Sequence, residues 1–323
     1  MSLDLTTTIL NESVQNEIQR LRNDGKSDEE ILSILNQETL TNALNTLIDR
    51  MASDTVSTIE NSMFERVMEE RARTDAFVAH NEQIWYKGFA ASEAMYLVSL
   101  DAARDYCNAL NDFPEETRKE KQCRFTALLQ IHGRACQEYL EILHLIKFGF
   151  ADGAYARWRS LYELSVIAEF VFSHDESVAK AYIDQSNTAE QWHDWAKAAP
   201  EFARHKGHIR FSDLQNKCPF ATAAWKSEFK LSCQLVHPSP QGTFFRLGDK
   251  SAGKKNYVPV GHSDCGLAIP AVNSAISFSV VSAHFFNLFT TGDGCVYIKT
   301  LTGWAELIRK TYLEIEKNSF PQD

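Results

Sequence analysis

The 323-residue chain has little glycine and proline, 14 and 8 residues respectively. Many short strands joined by tight turns would need more of both, so the shortage points to long helices. It has no CxxC pair, and its seven cysteines are scattered and odd in number. A secreted disulfide framework or a structural zinc site is therefore not expected, and reduced thiols are. GxSxG, a P-loop and a strand-linked GxGxxG are all missing, which removes the α/β-hydrolase, NTPase and dinucleotide readings. There is no basic excess either: the formal net charge is −10. A protein built around a phosphate-binding surface usually carries one, so nucleic acid is not the default partner, although a local basic pocket stays open. The first 21 residues hold no basic stretch followed by an apolar one, so no signal peptide is expected and the expected location is cytoplasmic.

What is present is helical periodicity. Residues 1–75 read as a helical N-terminal extension of two or three amphipathic helices, and residues 76–323 as the main domain. Ser27, with Glu30 three residues on, has the form of a capping box after the turn at Asp24–Gly25. A long helix is expected from Asp75 to Leu110. Pro114 starts another that runs to Lys147, and Gly149 closes it. Asp152 is placed as the cap of a helix reaching Ser173, and Asp175 as the cap of one reaching Ala198. Further helices are expected over 222–236, 267–289 and 302–317. From Gly266 to Thr291 no Asp, Glu, Lys or Arg occurs. That run is long enough to raise a membrane span. Its Pro270, Asn273, His284, Asn287 and serines, with no flanking Lys/Arg cluster, favour a buried central helix instead. The expected architecture is all-α, an antiparallel helical bundle, with a small β-hairpin in the 241–265 loop formed by Phe244–Gly248 and Asn256–Gly261.

The most informative segment is Tyr155–Phe172. At 100° per residue its apolar side chains surround the helix, the mark of a helix at the centre of a bundle. Yet Tyr155, Arg159 and Glu163 fall on one side, together with Val166 and Phe170. Charges in such a helix are costly unless paired. Two readings follow: an i,i+4 Arg159–Glu163 ion pair that fixes how helices dock, or a polar pocket holding Arg157, Arg159 and Glu163. The second segment is Ser232–Pro240. His237 ends its helix, where the negative end of the dipole favours a protonated ring, and Ser239 follows in the turn. That histidine reads either as a C-terminal cap or as a general acid–base. His132 and Cys136, one turn apart, and His193, His205 and His208 offer metal-like spacing, but no HExxH supports it. No metal and no cofactor are expected.

Three stretches together, Arg157-Trp-Arg-Ser-Leu-Tyr-Glu163, Leu235-Val-His-Pro-Ser-Pro240 and the apolar helix beginning Gly266-Leu-Ala-Ile-Pro270, resemble a bacterial family of unknown function over roughly residues 80–290. The resemblance implies an all-α fold and no established activity. The chain is also distantly similar to HEPN proteins, helical bundles that often dimerise and often act as metal-independent ribonucleases in toxin and anti-phage systems. Their motif is an arginine, four to six residues, then histidine; Arg73 and His80 have that spacing, with Thr74 at the polar second position. Lys230 stands where an arginine would have to precede His237. The expected function is thus a helical regulatory or effector protein of a bacterial system, binding a protein partner or small ligand and forming a homodimer, with no membrane partner. The alternative is a ribonuclease acting on RNA. In it Arg159 or Arg157 would stabilise the phosphate, His237 would move a proton and Glu163 would orient the arginine, with Tyr155 and Ser239 as binding residues.

Overall fold

The computed structural model describes residues 3–35, 37–190, 192–237, 240–244, 246–248 and 260–320. The described residues hold twelve α-helices and no strand. In chain order these are α1 (Leu3–Asn23), α2 (Asp28–Ile34), α3 (Gln37–Ala109), α4 (Glu115–Glu120), α5 (Gln122–Lys147) and α6 (Ala151–Ser173). They are followed by α7 (Glu176–Gln185), α8 (Phe211–Gln215), α9 (Ala223–Val236), α10 (Pro240–Phe244), α11 (Ala268–Phe286) and α12 (Gly292–Ser319). The fold is all-α. Of the expected hairpin, Phe244 ends a short helix instead of starting a strand, and most of the second half lies outside the described residues. Backbone contacts divide the chain into one unit of residues 1–73 and another of residues 74–323.

In the first unit, Ser27 starts α2 with both halves of a capping box: its hydroxyl accepts from the Glu30 amide, and the Glu30 carboxylate accepts from the Ser27 amide. Helix α3 does not begin at Asp75 as the sequence reading has it. It runs 73 residues without a break, because no glycine falls between Gln37 and Lys87 and no proline occurs before Pro114.

The second unit is built on α11. It packs against α12, α6 and α5, and α5 packs in turn against α6 and α7. Tyr139 stacks on Phe278 with ring centroids 4.6 Å apart, and Trp158 donates to the Ser277 hydroxyl at 3.0 Å. Helix α11 is long and apolar enough to cross a membrane by length and composition, and most of it is buried inside the protein. Its serines return their hydroxyls to its own carbonyls, Ser274 to Pro270 and Ser282 to Phe278. Helix α12 begins at Gly292, ten residues before the expected start, where Thr291 caps it by accepting from the Gly294 amide.

Two glycines are required by space. At Gly88 a Cβ would lie 2.8 Å from the Tyr312 ring, so α3 and α12 approach closely there. Gly149 takes φ +74°, and a Cβ would strike Phe77 and the Ser263 carbonyl, which is why the chain turns there between α5 and α6. Asp152 is not the cap of α6. It lies inside the first turn, where its carboxylate accepts from the Leu247 amide at 2.9 Å and faces Arg246 at 3.9 Å. Helix α7 stops at Gln185, well short of Ala198. Asp194–Ala198 forms a separate 3-10 turn, held because Asp194 accepts from the Ile209 amide.

Candidate functional site

Helix α6 is buried on nearly every side, so each polar group on it must be satisfied by a neighbour. Two clusters result, on different sides of the helix.

On the side covered by α9, Tyr155 is fully buried and donates to the Glu228 carboxylate and to the Glu228 carbonyl, the latter at 3.1 Å. Burial, with the Glu228 carboxylate beside it, pushes the phenol well above its usual range. One turn on, Arg159 Nε lies 3.2 Å from Glu163 Oε1, and both side chains are 30 % exposed. The contact is an ion pair without hydrogen-bond geometry at Nε. The guanidinium also sits over the Phe229 ring, 5.4 Å from its centroid. Burial raises the Glu163 carboxyl, opposed by Arg159 and reinforced by Glu138. Cys233 of α9 lies within electrostatic reach of both Arg159 and Glu163, and burial holds its thiol neutral.

On the side facing α5, Arg157 contacts two carboxylates. Its Nε meets Glu141, and a terminal nitrogen lies 3.3 Å from Glu138 Oε1. Arg134 donates to the same Glu138 oxygen at 2.9 Å. The Glu138 side chain is only 4 % exposed, and its second oxygen has no hydrogen-bond partner among the described residues. Burial raises its carboxyl despite the two guanidinium groups. Sequence reasoning missed Glu138, Glu141, Arg134 and Glu228. Glu138, Glu141 and Glu228 lie on other helices than the α6 residues they serve, which no sequence records. The Arg134–Glu138 pair is one turn apart on α5, and its i,i+4 spacing is the signal that could have found it.

His237 is the C-cap of α9, its amide donating to the Cys233 carbonyl at 3.1 Å. The ring is exposed and has no side-chain contact among the described residues. Ser239 lies outside the described residues. The structure thus brings Tyr155, Arg159 and Glu163 under α9, sets Arg157 into the α5 network, and records no contact that joins His237 to either.

The HEPN-like pair fares similarly: Arg73 is exposed and meets Glu70 at 3.2 Å, while His80 lies 3.6 Å from Asp264. His132 is sealed in the core. Its Nε2 is 3.1 Å from Ser99 Oγ, Phe285 stacks on it at 4.9 Å, and burial lowers its pKa to about 4. A serine and a histidine at hydrogen-bond distance could suggest nucleophilic catalysis, but both are buried and no substrate reaches them. Of the histidine-rich stretch, Glu190, Asp194 and His208 are close enough to share a cation. The Asp194 oxygen nearest His208 is already 3.1 Å from Lys197, so a metal would have to displace an ammonium.

A family of unknown function (DUF5677) has a model that matches residues 125–224. The matched span contains α6 with its Arg157–Glu163 stretch and stops before His237. No curated protein and no solved structure matches the chain.

Proposed function

We propose that the protein is a helical regulatory or effector module, an antiparallel bundle that acts by binding a partner or small ligand. The observation that carries this reading is the neutralisation of the central helix: Arg157 is held by Glu138 and Glu141, and Arg159 by Glu163. A guanidinium already matched to a carboxylate is poorly placed to take up a scissile phosphate, and Arg157, matched across to α5, also fixes the register of two helices. A bacterial toxin or anti-phage setting is part of the proposal and rests on the distant resemblance of the sequence motifs to HEPN proteins; a cytoplasmic location is proposed with it. A homodimer is part of the proposal. It is supported by the apolar side chains that the first unit leaves exposed along α3, among them Val56, Ile59, Met63, Phe64 and Val67.

The alternative is a metal-independent ribonuclease using an Arg/His pair, and the partial exposure of Arg159 is the observation in its favour. The test is cleavage of RNA in EDTA by the parent, Arg159→Ala and His237→Ala. The binding reading expects no cleavage by any of the three. Cleavage by the parent that both substitutions abolish would replace it with the ribonuclease.

A further inference from the structure

A cavity of about 460 Å³ opens where the end of α3, α4 and the start of α5 meet the chain after α11. That volume is in the range of small-molecule sites, about 300–1,000 Å³. Its apolar walls are Leu110, Phe125, Leu129 and Phe289. Phe289 is fixed as a wall by Tyr106, whose hydroxyl accepts from the Phe289 amide at 2.9 Å, and by the Phe113 ring at 5.4 Å. That wall is therefore fixed by packing within the protein.

The rim is polar, and its charges do not cancel. Glu115 and Lys119 neutralise each other at 2.6 Å. Arg118 also lines the cavity, and its guanidinium has no hydrogen-bond or ion-pair partner among the described residues. Gln122 adds an amide to the lining. Neighbouring cations are spoken for: Lys121 donates to the Leu288 carbonyl at 2.8 Å, and Arg124 binds Glu176 at 2.8 Å. On a chain of net charge −10, an unmatched guanidinium over an aromatic-walled hollow is a complement to one negative charge on an apolar body.

We infer that this cavity binds a small amphipathic carboxylate, its hydrocarbon against Phe125, Leu129 and Phe289 and its carboxylate on Arg118. The site shares no lining residue with the charged seam of α6 and does not rest on the function proposed for that seam. Cys107 lies in the same wall, half-buried, with its thiol held neutral by burial, and serves as a reporter of occupancy.

The test uses the full chain and three probes with one eight-carbon tail, namely octanoate, octan-1-ol and octylammonium, titrated by calorimetry. Octanoate binds one to one, roughly tenfold tighter than the alcohol, with the ammonium weakest. Arg118→Glu inverts the order of octanoate and octylammonium, a change that loss of fold would not produce. Leu129→Trp fills the hollow and abolishes binding of all three. Octanoate also slows modification of Cys107 by N-ethylmaleimide in the parent, read by peptide mass spectrometry, while leaving exposed Cys295 unaffected. Equal binding of octanoate and octylammonium, an unchanged order in Arg118→Glu, or an unprotected Cys107 would each overturn the assignment.

Discussion

Helices α6 and α11 lie side by side in the core, both buried around most of their circumference, and they solve the problem of polar side chains in opposite ways. The buried polar side chains of α11 are serines; Ser274, Ser279 and Ser282 bond to carbonyls of their own helix, and Ser277 alone takes its partner, the Trp158 N–H, from a neighbour. Helix α6 carries four long charged side chains; Arg159 and Glu163 pair with each other, but Arg157 and Glu169 take their partners from elsewhere. They recruit α5 and the segment around Phe220, where Glu169 accepts from the Phe220 amide at 3.3 Å. A self-satisfied helix can pack in many registers. One that must meet specified carboxylates and amides can pack in few, so α6 sets the geometry of the domain and α11 fills it.

Trp158→Ala gives the largest effect that sharpens this contrast. The indole is fully buried and its N–H is the one polar link from α6 to the Ser277 hydroxyl of α11. Removing it leaves a cavity and should cost about 4 kcal/mol, read as a lowered midpoint in urea. The matching change in α11, Ser282→Ala, removes only a hydroxyl that bonds to its own helix. It should cost under about 1 kcal/mol. Equal losses would mean that the two helices are not different in kind.

The second prediction concerns acid. His132 in the folded protein protonates at about 4, against an ordinary 6.5, because it is buried among aromatic rings. The unfolded chain takes up that proton first, so folding loses stability as pH falls from 6.5 to 4, by about 3 kcal/mol for the full interval. Glu138 and Glu163 act in the other direction. Burial raises both, so the native state binds their protons first and gains stability as pH falls through their folded range towards 4.5. The measurement is therefore the slope of melting temperature against pH between 6.5 and 4 in the parent and in His132→Gln. The variant should show the shallower fall, and parallel slopes would deny His132 this role.

How much of this was legible in the sequence follows from the range of the interactions. The Ser27 capping box, the Asp175 cap and the turn at Gly149 are local, each fixed by a few adjacent residues, and all three stand in the structure. The Arg159–Glu163 pair is likewise local, one helical turn apart. Where a local signal competed with tertiary contact, it lost. Asp152 has the right residue type for a cap but is drawn to the Leu247 amide, and the expected helix to Ala198 ends at Gln185 because Gln185 accepts from the Trp195 amide and holds a turn there. The partners of Arg157 and Tyr155 come from other helices, and the Arg118 cavity draws on segments more than 150 residues apart, so periodicity could not find either.

Within α6 itself the two charged clusters should separate by burial. Glu138→Ala strips a carboxylate that is 4 % exposed and leaves Arg157 and Arg134 to rearrange, Arg157 still holding Glu141; the expected cost is about 2 kcal/mol. Glu163→Ala opens a pair in which both partners are 30 % exposed, so Arg159 can turn its guanidinium to water, and the cost should be under about 1 kcal/mol. Thermal melts of the two variants decide it. The reverse order would place the structural weight on the α9 side of the helix.

His237→Ala should have the smallest effect, within about 0.5 kcal/mol of the parent. The ring is exposed at the end of α9, and the bond that caps the helix there is made by the backbone amide to the Cys233 carbonyl, which alanine keeps. Any interaction of the side chain with the helix dipole is small at an exposed site and screened by salt. A stability loss of more than about 1 kcal/mol, persisting in high salt, would show that the imidazole is packed and not free. The same variant then has a different use. Because it leaves the fold intact, any loss of RNA cleavage or partner binding it causes belongs to the imidazole and not to the helix beneath it.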